Sequence, residues 1–272
     1  MEPLAACVYF LPENTDRYTG LGLERRPAYF ASRGGCMGQV PGQVVTAAFG
    51  VFNPDVVVPA VDEAWAKTDV ATLLAAREAG AVAGLSRILG PSPEGATQAT
   101  AILRRCADAA DAAGRHIFAG LRSLGYPGSP LGDLWRAADL VREHRGDSHI
   151  AAWISHGIGP IEAQLLLELW WRMPLGPYTS GRGWTDEQIA ASWAGLIADG
   201  LVSGGLDSSG AFTPAGEALR ASIEEATDRQ ESSIVDALGD DADALFALLE
   251  PWSAKLVAAG AYPVDPATRT RP

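Results

Sequence analysis

Residues 184–220 read WTDEQIAASWAGLIADGLVSGGLDSSGAFTPAGEALR, and this stretch decides the fold of the C-terminal half of the chain. Thr185 followed three residues later by Gln188 is a capping box, which predicts that a helix begins here. The turn-rich tip at 204–210 separates two short apolar runs, a pattern typical of a two-stranded hairpin. A proline then opens another long helix. Together with an apolar helix before it, this order predicts a winged-helix module over 157–238.

Helical periodicity fills the rest of the chain between clusters of proline and glycine. Further helices are predicted at about 41–50, from Pro54 onward, and at 69–89, 94–113, 116–124, 131–155 and 242–260. The predicted fold is therefore mainly α. It consists of a helical domain over 1–156, the winged-helix module with its small two-stranded β-hairpin over 157–238, and a C-terminal helix and tail over 239–272 that pack back. The tail from residue 263 carries prolines and no apolar periodicity, so we expect it to be loose.

Several short motifs along the chain carry a family resemblance. They are YFASR at 29–33, VVTAAF at 44–49, FNP at 52–54, REHRGDSH at 142–149 and RGWTDE at 182–187. With them, nearly the whole chain resembles an actinobacterial helix–turn–helix family that brings no established activity. The segments DGLV (199–202) and FTPAGEALR (212–220) resemble the wing and the following helix of regulators of the multiple-antibiotic-resistance (MarR) type. Both resemblances imply a helix–turn–helix fold, and neither fixes a function.

The charge distribution argues against DNA as a partner. The chain has 21 Lys and Arg against 33 Asp and Glu, a net charge of -12, which disfavours phosphate backbones. The expected recognition helix, residues 186–199, and the wing, residues 203–210, contain no Lys or Arg. The sequence therefore favours a winged helix used for packing, for dimerisation or for enclosing a ligand. It leaves a homodimer open.

Cysteine usage and terminal sequence exclude several other classes. Three scattered cysteines without a CxxC pair predict neither a disulfide framework nor a cysteine-based zinc site, and they fit a reducing, cytoplasmic location. No basic segment followed by an apolar run marks a signal peptide, and no apolar stretch approaches the roughly 20 residues of a membrane span. Glycine-rich nucleotide motifs are missing as well. We therefore expect no cofactor, no metal and no membrane partner.

A polar cluster lies in the predicted helix 131–155. It comprises His144, Arg145, Asp147 and His149, and apolar residues flank it on both sides, so part of it is expected to point inward. Three interpretations stay open: a buried structural network, a set of polar groups that orients a ligand, or a catalytic or metal site. The spacing of the two histidines matches no strong metal-binding motif.

A second group of candidates lies near the N-terminus. Tyr29 and Phe30 could form the walls of a pocket, and the donor fork of Arg33 suits an anionic group. The alternative is simply the end of a helix followed by a turn.

The function favoured by the sequence is the binding of a small, partly apolar molecule, for sensing, sequestration or resistance. The predicted ligand-binding residues are Tyr29, Phe30, Arg33, His144, Arg145, Asp147 and His149. An alternative is an enzyme in which His144, Asp147 and His149 perform acid–base catalysis, and a third is a transcriptional regulator. On the leading hypothesis, replacing His144 or Asp147 with Ala removes ligand binding and leaves the melting temperature nearly unchanged. A large loss of stability would instead indicate a structural network.

Overall fold

The computed structural model describes residues 1–263, and it confirms the mainly α fold. Within that range the β-structure is one antiparallel pair of short strands. The tail predicted to be loose lies, beyond Pro263, outside the described residues. The single hairpin sits where the sequence predicts the wing, because its turn-rich tip separates the two strands.

The N-terminal part is a bundle of helices. They are α1 (Glu2–Ala6), α2 (Pro12–Gly20), α3 (Arg25–Gly34), α4 (Gly42–Phe49), α5 (Pro54–Lys67), α6 (Val70–Leu89), α7 (Ala96–Ala109), α8 (His116–Ser123) and α9 (Pro130–Ser155). Side chains of Asn53, Asp69 and Ser129 cap α5, α6 and α9 by accepting backbone N–H groups, as such residues do at helix starts. The 26-residue α9 contacts α1, α6, α7 and α8, and its Trp135 is fully buried. It is the central helix of this part.

The C-terminal part has the predicted winged-helix order. Its elements are α10 (Pro160–Trp170), α11 (Pro177–Ser180), α12 (Asp186–Ala198), β1 (Val202–Ser203), β2 (Ala211–Phe212), α13 (Pro214–Gln230), α14 (Ser232–Leu238) and α15 (Ala242–Ala258). Both halves of the capping box at Thr185 and Gln188 are present, and Val202 pairs with Phe212 across the hairpin. The sequence did not predict α14, nor the single turn of α11 inside a Gly/Pro-rich loop.

A turn of the N-terminal part holds the segment between α11 and α12. The backbone N–H of Asn53 donates to the carbonyl of Arg182 over 3.0 Å, and its side-chain amide donates to Gly183 over 2.9 Å. The Trp184 indole donates to the carbonyl of Val51 over 2.9 Å. These bonds fix residues 182–184 directly before α12 begins.

Helix α9 joins the two apolar cores of the molecule. Its Leu134 belongs to the N-terminal core, whereas its Trp153 packs with Leu165 and Trp193 of the winged-helix part. Side chains of α15, such as Leu256, lie in the N-terminal core. Because one helix serves both cores, the division into domains at residues 156 and 238 stays a prediction.

Candidate functional site

A cavity of about 240 Å³ lies among α1, α2 and α3, beside α9 and α11. Its aromatic lining consists of Tyr9, Phe10, Tyr18, Tyr29, Tyr178 and Tyr262. The polar lining includes Glu2, Asn14, Ser32, Arg142 and Arg182. An apolar cavity of roughly 150 Å³ is enough to hold benzene. This cavity therefore has room for a molecule larger than a single six-membered ring.

Four residues that line the cavity each carry a buried polar atom without a hydrogen-bond partner. The atoms are the Oδ1 of Asn14, the hydroxyls of Tyr18 and Ser32, and the Nε of Arg182. The Asn14 amide is held by its other end, because its Nδ2 donates to the Arg77 carbonyl over 2.9 Å. Leaving a buried donor or acceptor unsatisfied costs about 1–3 kcal/mol, so such atoms are rare in native interiors. Residues of the cavity wall thus keep hydrogen-bonding capacity that the chain itself does not use, as do seven buried side chains elsewhere among the described residues.

An ion network centred on Glu143 of α9 lies beside the cavity, and we call it the floor. Arg33 forms a two-point bond with the Glu143 carboxylate, at 2.9 and 2.7 Å. Arg142 donates to the same carboxylate over 2.6 Å and to Glu2 over 2.9 Å. Burial alone would raise the pKa of Glu143, but Arg33 and Arg142 outweigh burial and lower that pKa to about 2. Glu143 is therefore ionised, and both arginines have their charge matched.

A second buried pair lies next to this network. The Nη2 of Arg77 donates to Asp139 over 2.9 Å and to the Tyr9 hydroxyl over 3.2 Å. Burial raises the pKa of Tyr9 well above its ordinary value, so its phenol stays neutral. Tyr9 therefore presents an uncharged aromatic face to the cavity.

The three N-terminal candidates all lie on α3, and one of them lines the cavity. Tyr29 does so, and its ring meets that of Tyr9 edge to face at 5.1 Å. Phe30 is fully buried and packs on Phe52 with ring centroids 5.0 Å apart. Arg33 is held by Glu143, as described above. Successive positions on one helix point in different directions, which explains why three neighbours have three different surroundings.

The candidates on α9 contact α8 and α13–α14 instead. The Nδ1 of His144 lies 2.8 Å from the Glu231 carboxylate, and the Nδ1 of His149 lies 3.0 Å from the Thr227 hydroxyl. Asp147 accepts the backbone N–H of Phe118 over 3.0 Å, at the start of α8. Arg145 is exposed and pairs on the surface with Glu224 over 3.0 Å. None of the four lines the cavity.

Burial perturbs two groups of this set. Desolvation raises the pKa of Asp147 to about 6, which its hydrogen bond from Phe118 only partly offsets. Desolvation also lowers the pKa of His149 to about 4, against the attraction of Glu224, so this imidazole is neutral at pH 7. Each of the four side chains has its own partner, which is the arrangement expected of a network that packs α9 against its neighbours. The catalytic role of His144, Asp147 and His149 stays a prediction. Among residues 1–263, no three His, Cys, Asp or Glu side chains are grouped to hold a metal ion.

The sequence analysis missed most of the cavity. Asn14, Tyr18, Ser32 and Arg182 were not candidates. One signal was available locally, since Asn14 and Tyr18 are spaced by one helical turn. No local pattern connects them to Arg182, which reaches the cavity only because of the tertiary fold.

The comparisons with known proteins return one family. A family model described as a helix-turn-helix family matches residues 1–263. No curated protein and no solved structure matches the chain. In the same range, none of the helices combines the length and the apolar character that crossing a bilayer requires. The MarR-type likeness of the wing and the actinobacterial origin stay predictions.

Proposed function

The chain belongs to a helix-turn-helix family, and from this premise we propose that it binds a small, partly apolar molecule in the cavity among α1, α2 and α3. The observation that carries the proposal is the cavity itself, a space of about 240 Å³ lined by six aromatic rings and by polar residues, of which Asn14, Tyr18, Ser32 and Arg182 each have a buried polar atom without a partner. A ligand with matching donors and acceptors removes their desolvation cost, which gives binding both affinity and orientation.

The chemistry of the lining supports a ligand with a flat apolar body. Six aromatic side chains line the cavity, and rings pack well on flat molecules. Tyr29 keeps its proposed role as a wall, whereas Phe30 and Arg33 support that wall from behind. Such a binding site suits sensing, sequestration or resistance.

The cavity also connects the two parts of the molecule. Tyr178 and Arg182, at α11 and just after it, line the cavity together with residues of α1–α3. A bound molecule therefore touches the segment that leads directly into α12, so occupancy and the position of the helix–turn–helix part are linked.

A second candidate function is DNA-dependent regulation, which the family membership favours. The charge of the module opposes it, because residues 183–219 contain no Lys or Arg and α12 starts with Asp186 and Glu187. Retention on duplex DNA that weakens as salt rises would support this function. Passage through such a column at low salt would exclude it.

Native mass spectrometry of the purified protein, with a matched pair of variants, tests the binding proposal. Thr19 and Asp16 are exposed positions on α2, but only Thr19 lines the cavity. We expect the protein to carry a bound mass of several hundred daltons. Thr19→Trp should lose this mass because the indole fills the cavity mouth, and Asp16→Trp should keep it.

Two outcomes would overturn the proposal. One is a bound mass that both tryptophan variants retain, because the molecule would then lie elsewhere. The other is a protein without bound mass that also takes up no member of a fragment library in ligand-observed NMR.

A further inference from the structure

We infer that the molecule held in this cavity is an anion and that Arg182 binds its negative group. The inference rests on the proposed function and adds the charge of the ligand and the residue that selects it. Arg182 stands out because, among the arginines that line or underlie the cavity, it combines a buried unpartnered nitrogen with a missing counter-charge.

The other arginines near the cavity are accounted for. Arg33 and Arg142 share the Glu143 carboxylate, and Arg142 also pairs with Glu2. Arg77 is paired with Asp139. Arg25 lines the cavity from an exposed position, where water solvates its charge. Arg182 is the remaining cation.

Two aromatic rings and one hydroxyl surround the guanidinium of Arg182. The guanidinium carbon lies 4.5 Å from the centre of the Phe52 ring and 4.8 Å from that of Tyr178. Its Nη2 donates to the Tyr178 hydroxyl over 2.7 Å, which is a neutral partner. Its Nε is buried and has no partner. Within residues 1–263, no carboxylate lies at ion-pair distance from it.

Arg182 is partly withdrawn from water and has no counter-charge among the described residues, although the chain has 33 acidic residues. The carboxylates that line the cavity do not supply one, because Glu2 pairs with Arg142 and Glu24 is exposed. A carboxylate or similar oxyanion on the ligand would match the charge of Arg182, and charge-assisted hydrogen bonds to a guanidinium are strong. The hydroxyls of Ser32 and Tyr18 can then serve the polar groups on the ligand body.

This position of the charge has a structural consequence. The Arg182 carbonyl accepts the backbone N–H of Asn53, and Gly183 and Trp184 are fixed to the same turn. An anion bound to Arg182 therefore attaches to the segment that orients α12. The charged end of the ligand, rather than its apolar body, is therefore the part linked to the helix–turn–helix through residues 182–184.

The test uses pairs of probes that have the same shape but differ in charge. Benzoate, cinnamate, 2-naphthoate and cyclohexanecarboxylate are each compared with the corresponding primary amide at pH 7.5, by isothermal titration and thermal shift. We expect at least one acid to bind at least tenfold more tightly than its amide. Arg182→Gln should remove that preference, while Arg25→Gln, which removes the same charge from the cavity rim, should preserve it.

The outcomes separate this inference from the proposed function. Amides that bind as tightly as acids, or a preference for acids lost in Arg25→Gln and kept in Arg182→Gln, would overturn the inference and leave the binding function standing. Failure of all four acids to bind would overturn the inference too. The mass experiment on Thr19→Trp and Asp16→Trp decides the binding function independently.

Discussion

Buried polar groups are treated differently on the two sides of α9. On the side facing α13, the Nδ1 of His144 reaches Glu231, His149 reaches Thr227, and the hydroxyl of Ser148 accepts from Arg115 over 2.9 Å. The Nε2 of His144 is the exception, since it is buried without a partner. On the side of the cavity, lining atoms of equal burial have no partner, as Asn14 and Ser32 illustrate. Partnered atoms make an interface specific and stable. Polar and aromatic side chains around open space form a surface for something that is not part of the chain.

Polarity and burial alone therefore do not identify a site. The α9–α13 interface has the residue types of a catalytic centre and even the shifted pKa values of one. What separates it from the cavity is the open space that the cavity provides beside its polar side chains. Substitutions on each side of α9 test that distinction.

The largest effect is expected from Glu143→Gln. The carboxylate is buried and neutralises Arg33 and Arg142, so its loss leaves buried charge without a partner. Removing one member of a buried pair typically costs about 3–5 kcal/mol. Urea unfolding measures the free energy of unfolding. Glu63→Gln is the matched control, because its pair with Lys67 is exposed and worth only about 0.3–0.5 kcal/mol. Equal effects of the two variants would refute a structural role for the floor.

His144→Ala is expected to come next. The ring is fully buried, contacts Phe118 edge to face and pairs with Glu231, so the variant leaves a void and an unpaired acid. We expect a loss of about 3 kcal/mol in unfolding free energy and full retention of the bound molecule in the folded fraction. His116→Ala, at an exposed position, should change stability by no more than about 0.5 kcal/mol.

The opposite result for His144→Ala would move the ligand site from the cavity to the contacts of α9 with α13. If stability is preserved and the bound molecule is lost, the ligand site lies at the α9–α13 interface, as the sequence analysis predicted.

Two serine-to-alanine variants sharpen the comparison most directly. Ser148 and Ser32 are equally buried, but only Ser148 has a partner. Ser148→Ala should lower the unfolding free energy by about 1.5 kcal/mol, because it leaves the Nε of Arg115 without an acceptor, and it should not affect ligand affinity. Ser32→Ala should preserve or slightly raise stability and weaken ligand affinity roughly fivefold. Denaturation and calorimetry with the same preparations measure both quantities. A destabilised Ser32→Ala with unchanged affinity would contradict the cavity assignment.

The sequence predicted the fold far better than the site, and particular residues show why. Helix starts can be recognised from a few neighbouring residues, as in the capping box of Thr185 and Gln188 and in the Asn53–Pro54 pair. A sequence pattern therefore predicts them. The short strands around 204–210 follow from turn chemistry in the same way. These elements need no knowledge of the tertiary structure.

The cavity depends on contacts that no local pattern encodes. Helices α1 and α2 lie in a stretch for which the sequence analysis predicted no helix, and Arg182 meets them from more than 150 residues away. Whether Ser32 finds a partner is likewise decided by tertiary packing. The sequence analysis expected Tyr29 and Phe30 as pocket walls and part of the polar cluster on α9 to point inward. Tyr29 lines the cavity and Phe30 is buried outside it, whereas His144 and Asp147 are buried in contacts with other helices.

The smallest effect concerns pH and the α9–α13 interface. The pKa of Asp147 is raised to about 6, so the native state binds this proton more tightly than the unfolded state, and the contribution of Asp147 to stability falls as pH rises from about 4 to 6. The pKa of His149 is lowered to about 4, so its contribution falls in the opposite direction, as pH drops from about 6.5 to 4. In the wild-type protein the two slopes largely cancel.

Single variants should therefore expose each slope. Relative to wild type, the melting temperature of Asp147→Asn should fall by about 2–4 °C between pH 6.5 and pH 4, because only the His149 slope remains. The melting temperature of His149→Gln, relative to wild type, should rise by a similar amount between pH 6.5 and pH 4. Taking the difference from wild type at each pH removes the contribution of carboxylates that do not interact with the substituted group; Glu224, which lies beside His149, is the one that changes with it. Parallel curves for both variants would mean that these groups are solvated, and the contrast between a closed interface and an open cavity would then lose its electrostatic support.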